Sequence, residues 1–161
     1  MNQIISPAPV RKSVRVAAPQ ARAFDVFTQG IGRWWPKTHH IGASELDTQI
    51  IEPCQGGRWF ERGVDGVECE IGHVLIWEPP ARVVLAWQLG PEWKFDADLT
   101  TEVEVRFSPA GDNATVVDLE HRHLERLGDR AGAFRQQIDS SGGWGGLLAL
   151  FVACADNAAA K

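Results

Sequence analysis

The side chains with the widest chemical reach are the five histidines and the carboxylates near them. His121 and His123 lie two residues apart. If this stretch is a strand, they share one face. With His73, or with the His39-His40 pair, they could bring three imidazoles to a metal. The sequence has no His-Glu-x-x-His and no Cys-x-x-Cys, so neither a metal nor another cofactor is expected. Asp65, Glu68, Glu70 and Glu120 could pair with His121 for general acid–base chemistry. In a strand, however, Glu68 and Glu70 alternate with Cys69, Ile71 and His73, so these acids read as a solvated face. His121 remains the one catalytic candidate. Ser140-Ser141 lacks the Gly-x-Ser-x-Gly elbow. Cys69 sits among acidic neighbours, which do not activate a thiol. Gly56-Gly57 and Gly142-Gly143 lack the following Lys-Ser/Thr of a phosphate loop and read as turn and close packing.

The stronger lead is aromatic. The chain has seven Trp and no Tyr. Trp34, Trp35, Trp59, Trp87, Trp93 and Trp144 exceed what a core of this size needs. They point to a cavity walled by indoles, with a few polar groups such as His121. Strand alternation adds Val83, Leu85, Val103, Val105, Val117 and Leu119 to the inward face, and Leu147, Leu148 and Phe151 would close the opposite wall. The parity of 67–77 is not decided by its pattern.

These residues need a scaffold, and the chain supplies punctuation for one. The stretch 57–87 reads as three antiparallel strands, turned at Gly63-Val64-Asp65-Gly66 and at Glu78-Pro79-Pro80. Before it come a strand at 10–17, a helix near 19–27, a second short helix at 31–35 stopped by Pro36, a loop at 37–43 and a strand at 46–51. After it, the connection 90–98 carries Trp93 and Phe95 as a plug or an entrance. Strands at 99–108 and 114–123 alternate cleanly, as in an antiparallel sheet with one buried face. From 130 to 155 the apolar period becomes helical. Ser140-Ser141-Gly142-Gly143 and Gly145-Gly146 weaken that helix by about 1 kcal/mol per Gly. Packing must therefore hold it, and something approaches it closely. The order is strand, helix pair, six strands and a long C-terminal helix, which suits an α+β fold with a curved antiparallel sheet of about seven strands wrapped around one helix.

The 161 residues suit one domain at 10–157 after a flexible lead-in at 1–9. A net charge of −5 argues against nucleic acid and offers nothing to an anionic membrane. No apolar run approaches the ~18 residues of a membrane span. Three widely spaced cysteines suit free thiols in a reducing compartment, and the start of the chain lacks the apolar stretch of a signal peptide. The expected location is the cytoplasm.

Several local signatures resemble one family. They are the opening strand followed by Ala17-Ala18-Pro19-Gln20, the Trp34-Trp35-Pro36 triplet, and Gly56-Gly57-Arg58-Trp59. Further along come Gly72-x-Val74 with Pro79-Pro80 and Trp87, a long strand ending near His121, and Gly143-Trp144-x-x-Leu147-Leu148. Together they are similar to the START-like, birch-pollen-allergen-like superfamily (SRPBCC), and within it to the family named after the activator of heat-shock protein 90 ATPase (AHSA-like). The resemblance covers about residues 10–156. It implies the helix-grip fold, with a cavity between sheet and long helix that takes an apolar or aromatic small molecule for carriage, sequestration or sensing. It also implies two alternatives: a cyclase- or hydratase-like enzyme with His121 as acid or base, and a module that binds a chaperone or another protein. The founding activator engages its chaperone through two domains, whereas this chain carries one. The Trp-rich loop and Gly-rich helix are also compatible with a homodimer.

Overall fold

The computed structural model describes residues 7–159. Residues 1–6 of the expected lead-in lie outside the described residues. Residues 7–9 have no regular structure, and Arg135 donates to the carbonyls of Ala8 and Pro9 (2.7 and 3.4 Å). Seven strands follow: β1 Val10–Val16, β2 Leu46–Ile51, β3 Arg58–Gly63, β4 Glu68–Glu78, β5 Arg82–Trp87, β6 Thr101–Pro109 and β7 Thr115–Arg122. They form one curled antiparallel sheet in the order β1-β7-β6-β5-β4-β3-β2. The helices α1 Gln20–Phe27 and α2 Ile31–Trp34 lie between β1 and β2, and α3 Ala131–Asp139 and α4 Trp144–Ala159 follow β7. This is the expected α+β helix-grip arrangement.

Alternation decides the inner face of β5, β6 and β7. Val83 pairs with Val105, Leu85 with Val103, Val103 with His121 and Val105 with Leu119, and all are buried. On the outer face, Glu104 of β6 is held by Arg82 of β5 (2.6 Å), by Arg106 (2.8 Å) and by Arg122 of β7. This cross-strand ladder satisfies a carboxylate that is itself largely buried. The undecided parity of β4 has a physical cause. Register shifts occur between Trp59 and Phe60 and between Val74 and Ile76, so β4 is bulged against both neighbours. Its core residues therefore run Ile71, Val74, Trp77, in steps of three instead of two.

The helical stretch expected at 130–155 is two helices. Ser140 turns extended (ψ 174) and ends α3. The chain then passes so close to the end of α3 that a Cβ on Gly143 would lie 2.3 Å from the Ile138 carbonyl. The close approach anticipated at this glycine cluster is made by the chain's own backbone. Taken together, Leu124–Asn157 is long and apolar enough to cross a membrane by length and composition alone. In the fold it buries Leu127, Phe134, Ile138, Leu148 and Phe151 in the core, as a core helix does.

At one end of the molecule, Phe24 and Phe27 of α1 pack edge-on against Phe107 (5.2 and 5.9 Å), and Phe27 packs on Phe151 of α4 (5.1 Å). Those four rings are fully buried, and a cavity lies toward the other end of β5, at Trp87.

Gly72 permits the tightest contact in the sheet, since a Cβ there would lie 1.7 Å from the carbonyl oxygen of Ala86 on β5. Gly72→Ala is expected to cost more than about 2 kcal/mol in urea unfolding, because two central strands cannot separate without disturbing their neighbours. Gly66, at φ 85 with nothing within 4 Å, is the control. Its Ala variant is expected to lose about 1 kcal/mol.

Candidate ligand-binding site

The site begins with a buried polar relay. The first residue of α4, Trp144, donates its indole N–H to Nδ1 of His121 on β7 (3.1 Å). An indole only donates, so Nδ1 accepts and the His121 proton sits on Nε2. Nε2 then donates to Oγ1 of Thr101 on β6 (2.7 Å), and Thr101 donates to the carbonyl of Trp87 on β5 (3.1 Å). The relay ties α4 to three adjacent strands. His121 has no exposed surface, and burial pushes its pKa down to about 3. With both nitrogens engaged and the ring neutral, His121 acts as a positioning residue for Trp144. The sequence-based catalytic candidate has no free nitrogen to offer a substrate.

Against this relay lies a cavity of about 260 Å³. Its apolar walls are Trp35, Ile41, Ile71, Trp87, Leu89, Trp93, Ile138, Trp144 and Leu147, and its polar lining is Thr38, His39, His40, Gln49 and Glu61, with Gly142 and Gly143. The indoles pack in a chain: Trp35 on Trp144 (6.4 Å), Trp144 on Trp87 (5.8 Å) and Trp87 on Trp93 (6.3 Å), all edge-to-face. Each buried indole N–H in the lining is already used. Trp35 donates to the His39 carbonyl (2.9 Å), Trp87 to the Leu89 carbonyl (3.0 Å) and Trp144 to His121. The three buried rings can therefore offer the cavity faces and edges, and no donors.

Two loops close the mouth. In the 36–44 loop, the Ile41 and Gly42 amides donate to the two carboxylate oxygens of buried Glu61 on β3 (2.8 and 3.0 Å). His39 reaches across to the break between α3 and α4, where its Nε2 donates to the Gly142 carbonyl (2.8 Å). On the other side, the 88–100 loop is fastened by Arg130 to Glu92 (2.9 Å), and Trp93 holds its ring near Trp87 from a left-handed backbone (φ 60). That conformation costs about 1 kcal/mol or more for a non-glycine residue.

Of the residues anticipated as ligand-binding, the structure gathers Trp35, Trp87, Trp93, Trp144 and Leu147 at this cavity. It places Trp34, Trp59, Val83, Leu85, Val103, Val105, Val117, Leu119, Leu148 and Phe151 in the solid core instead, with His121 behind Trp144. The polar lining from the 36–44 loop, together with Gln49 and Glu61, was not anticipated. The loop has no periodicity to read, and the parity of β2 and β3 alone marked Gln49 and Glu61 no differently from surface residues. Phe95 pairs across the 88–100 loop with Leu89 and stays half exposed.

The remaining chemical candidates disperse. His73 donates from Nδ1 to Gln88 (2.9 Å). His123 leaves the strand in a left-handed conformation between Glu102 and Glu125. Burial and the Glu61 and Asp65 carboxylates push the Cys69 thiol up. Among the described residues, no three His, Cys, Asp or Glu groups converge as a metal would require.

Two outcomes follow from this geometry. Unfolded His121 takes a proton near pH 6.5, whereas the folded residue resists it down to about pH 3. Its contribution to stability is therefore complete above pH 6.5. It falls by about 1.4 kcal/mol per unit as pH drops through that window. His121→Gln, which can accept from Trp144 and donate to Thr101 without titrating, is expected to flatten that slope in urea midpoints between pH 6.5 and 4. For the loop, Glu61→Ala removes the acceptor of two amides. Hydrogen exchange at Ile41 and Gly42 is expected to accelerate by about tenfold or more, with β6 and β7 unchanged.

Residues 17–156 match the family described as Activator of Hsp90 ATPase homolog 1-like protein. No curated protein matches the chain. Among solved structures, the anthrahydroquino-gamma-pyrone synthase Txn09, complexed with SUM, is 37% identical, with 92% of this chain and 97% of that one covered and a TM-score of 0.65. The self-sacrificing resistance protein CalC from Micromonospora echinospora is 31% identical, with 96% and 97% covered and a TM-score of 0.73. Protein NE0264 from Nitrosomonas europaea shares the fold at 13% identity, with 94% and 96% covered and a TM-score of 0.66. The family match across most of the chain and two relatives above 30% identity agree, and the chain belongs to the Activator of Hsp90 ATPase homolog 1-like family.

Proposed function

We propose that this protein binds a flat aromatic small molecule in the cavity between the open end of the sheet and the α3–α4 break. One observation carries the reading: four indoles wall the cavity, and the three buried ones have their N–H groups paired with protein acceptors. Such a surface rewards stacking and apolar contact, and penalises polar groups that have no partner. An apolar cavity of about 150 Å³ holds benzene, and drug-sized sites start near 300 Å³. At about 260 Å³ this one suits two or three fused rings. A relative described as an anthrahydroquino-gamma-pyrone synthase supports an aromatic ligand. Carriage, sequestration and sensing all use the same site. The free cysteines support a cytoplasmic setting.

A second reading, ring closure or hydration of such a compound, is favoured by the 37% identity to a synthase. Its acid–base group would be His40 in place of His121. His40 lines the cavity, is exposed, and donates from Nδ1 to the Gly42 carbonyl (2.9 Å), which leaves Nε2 as an acceptor.

Titration with fluorene, a flat tricyclic hydrocarbon, is expected to quench tryptophan emission saturably. Leu147→Trp, which fills the cavity from α4, is expected to weaken binding at least about tenfold while leaving the fold intact. Absence of saturable quenching, or an unchanged Leu147→Trp variant, would contradict the binding reading.

A further inference from the structure

We infer that Gln49 makes the cavity selective for aromatic ketones and quinones, by donating a hydrogen bond to a ring carbonyl; this rests on the cavity being the ligand site. Gln49 lies on β2 directly opposite Glu61 of β3, lines the cavity, and is only 3% exposed. Its orientation is fixed from behind. Trp59 Nε1 is a donor only, and it donates to Oε1 of Gln49 (3.0 Å). The amide cannot flip without setting donor against donor, so the NH₂ group is held on the other side. Among the described residues, no protein group accepts from that Nε2.

The other polar groups of the lining are committed. Glu61 receives the Ile41 and Gly42 amides, Thr38 is paired with His39 Nδ1, and His39 Nε2 serves Gly142. The buried indoles donate elsewhere. His40 and Trp93 are exposed at the mouth. Among the described residues, Gln49 thus supplies a side-chain donor in the lining that has no protein acceptor and keeps its contact with solvent through the cavity. A ligand that displaces solvent from this amide leaves the donor unpaired, which is costly, unless the ligand brings its own acceptor. A carbonyl in the plane of a flat ring system can present such an acceptor while its rings lie among the indoles. A hydrocarbon of the same shape leaves the donor unpaired, which is how polar sites discriminate more sharply than apolar ones.

Fluorene and 9-fluorenone are nearly the same shape and differ by one carbonyl. An apolar cavity with no donor would favour fluorene, since the ketone loses its hydration. With Gln49 in place, 9-fluorenone is expected to bind about fivefold to tenfold more tightly than fluorene by tryptophan quenching. Gln49→Glu, measured at pH 8, keeps an oxygen for Trp59 and places an acceptor where the donor was. Gln49→Met removes both groups. Both variants are expected to bring the fluorenone-to-fluorene affinity ratio to one or below while fluorene still binds, with circular dichroism reporting the fold. If wild-type protein binds the two equally, or prefers fluorene, or if both folded variants keep the preference, the role of Gln49 is overturned while the cavity reading stands. If neither compound saturates, the cavity reading fails and takes this inference with it.

Discussion

The relay Trp144–His121–Thr101–Trp87 is the interaction on which the cavity end of the molecule depends. It joins the start of α4 to β7, β6 and β5 through three hydrogen bonds, each inside the core. An unpaired polar group at that depth would cost about 1–3 kcal/mol, so the relay is stabilising only when complete. Completeness fixes the imidazole tautomer, the indole plane of Trp144 and, through Trp144, one wall of the cavity. The polar residue that composition singles out for chemistry thus serves architecture. The price is sensitivity to acid, because a neutral buried imidazole has a charged competitor in the unfolded chain.

A cavity exists because the two ends of the sheet are filled differently. Phenylalanines from α1, β6 and α4 interlock at one end. At the other, the break between α3 and α4 shortens the helix that would otherwise cover the sheet. Only the 36–44 and 88–100 loops span the gap, each fastened by carboxylate contacts: Glu61 to backbone amides in one, Glu92 to Arg130 in the other. Loops held by a few hydrogen bonds open at lower free energy than the strands beneath them, so ligand entry need not disturb the sheet.

Much of this architecture is legible in the sequence. The alternation in β6 and β7 identifies Val103, Val105, Val117, Leu119 and His121 as inward, because both strands are regular and one-sided. The turns at 63–66 and 78–80 announce themselves through glycine and proline. The parity of β4 is not legible, since two bulges shift its period and no sequence pattern marks where. The α3–α4 break is half legible: the glycine cluster signals a weak helix, but it does not reveal that the chain folds back on the end of α3. The cavity is harder still. Inward position in a strand does not distinguish a residue packed against a helix from one facing empty space, which is why Val83 and Leu85 are core while Trp87, on the same face, reaches the cavity. Gln49 and Glu61 are recognisable only from burial and partners, which no local pattern encodes.

The central claim is that the indole-walled cavity holds a small molecule. Native mass spectrometry of the protein isolated from cells that make it, set beside the same sample after denaturation, tests this most directly. A retained mass in the range of a two- or three-ring aromatic compound, released on unfolding, is the result this account predicts. Protein that carries no such mass from its own cells, and that takes up no aromatic compound when incubated with an extract of them, would contradict it.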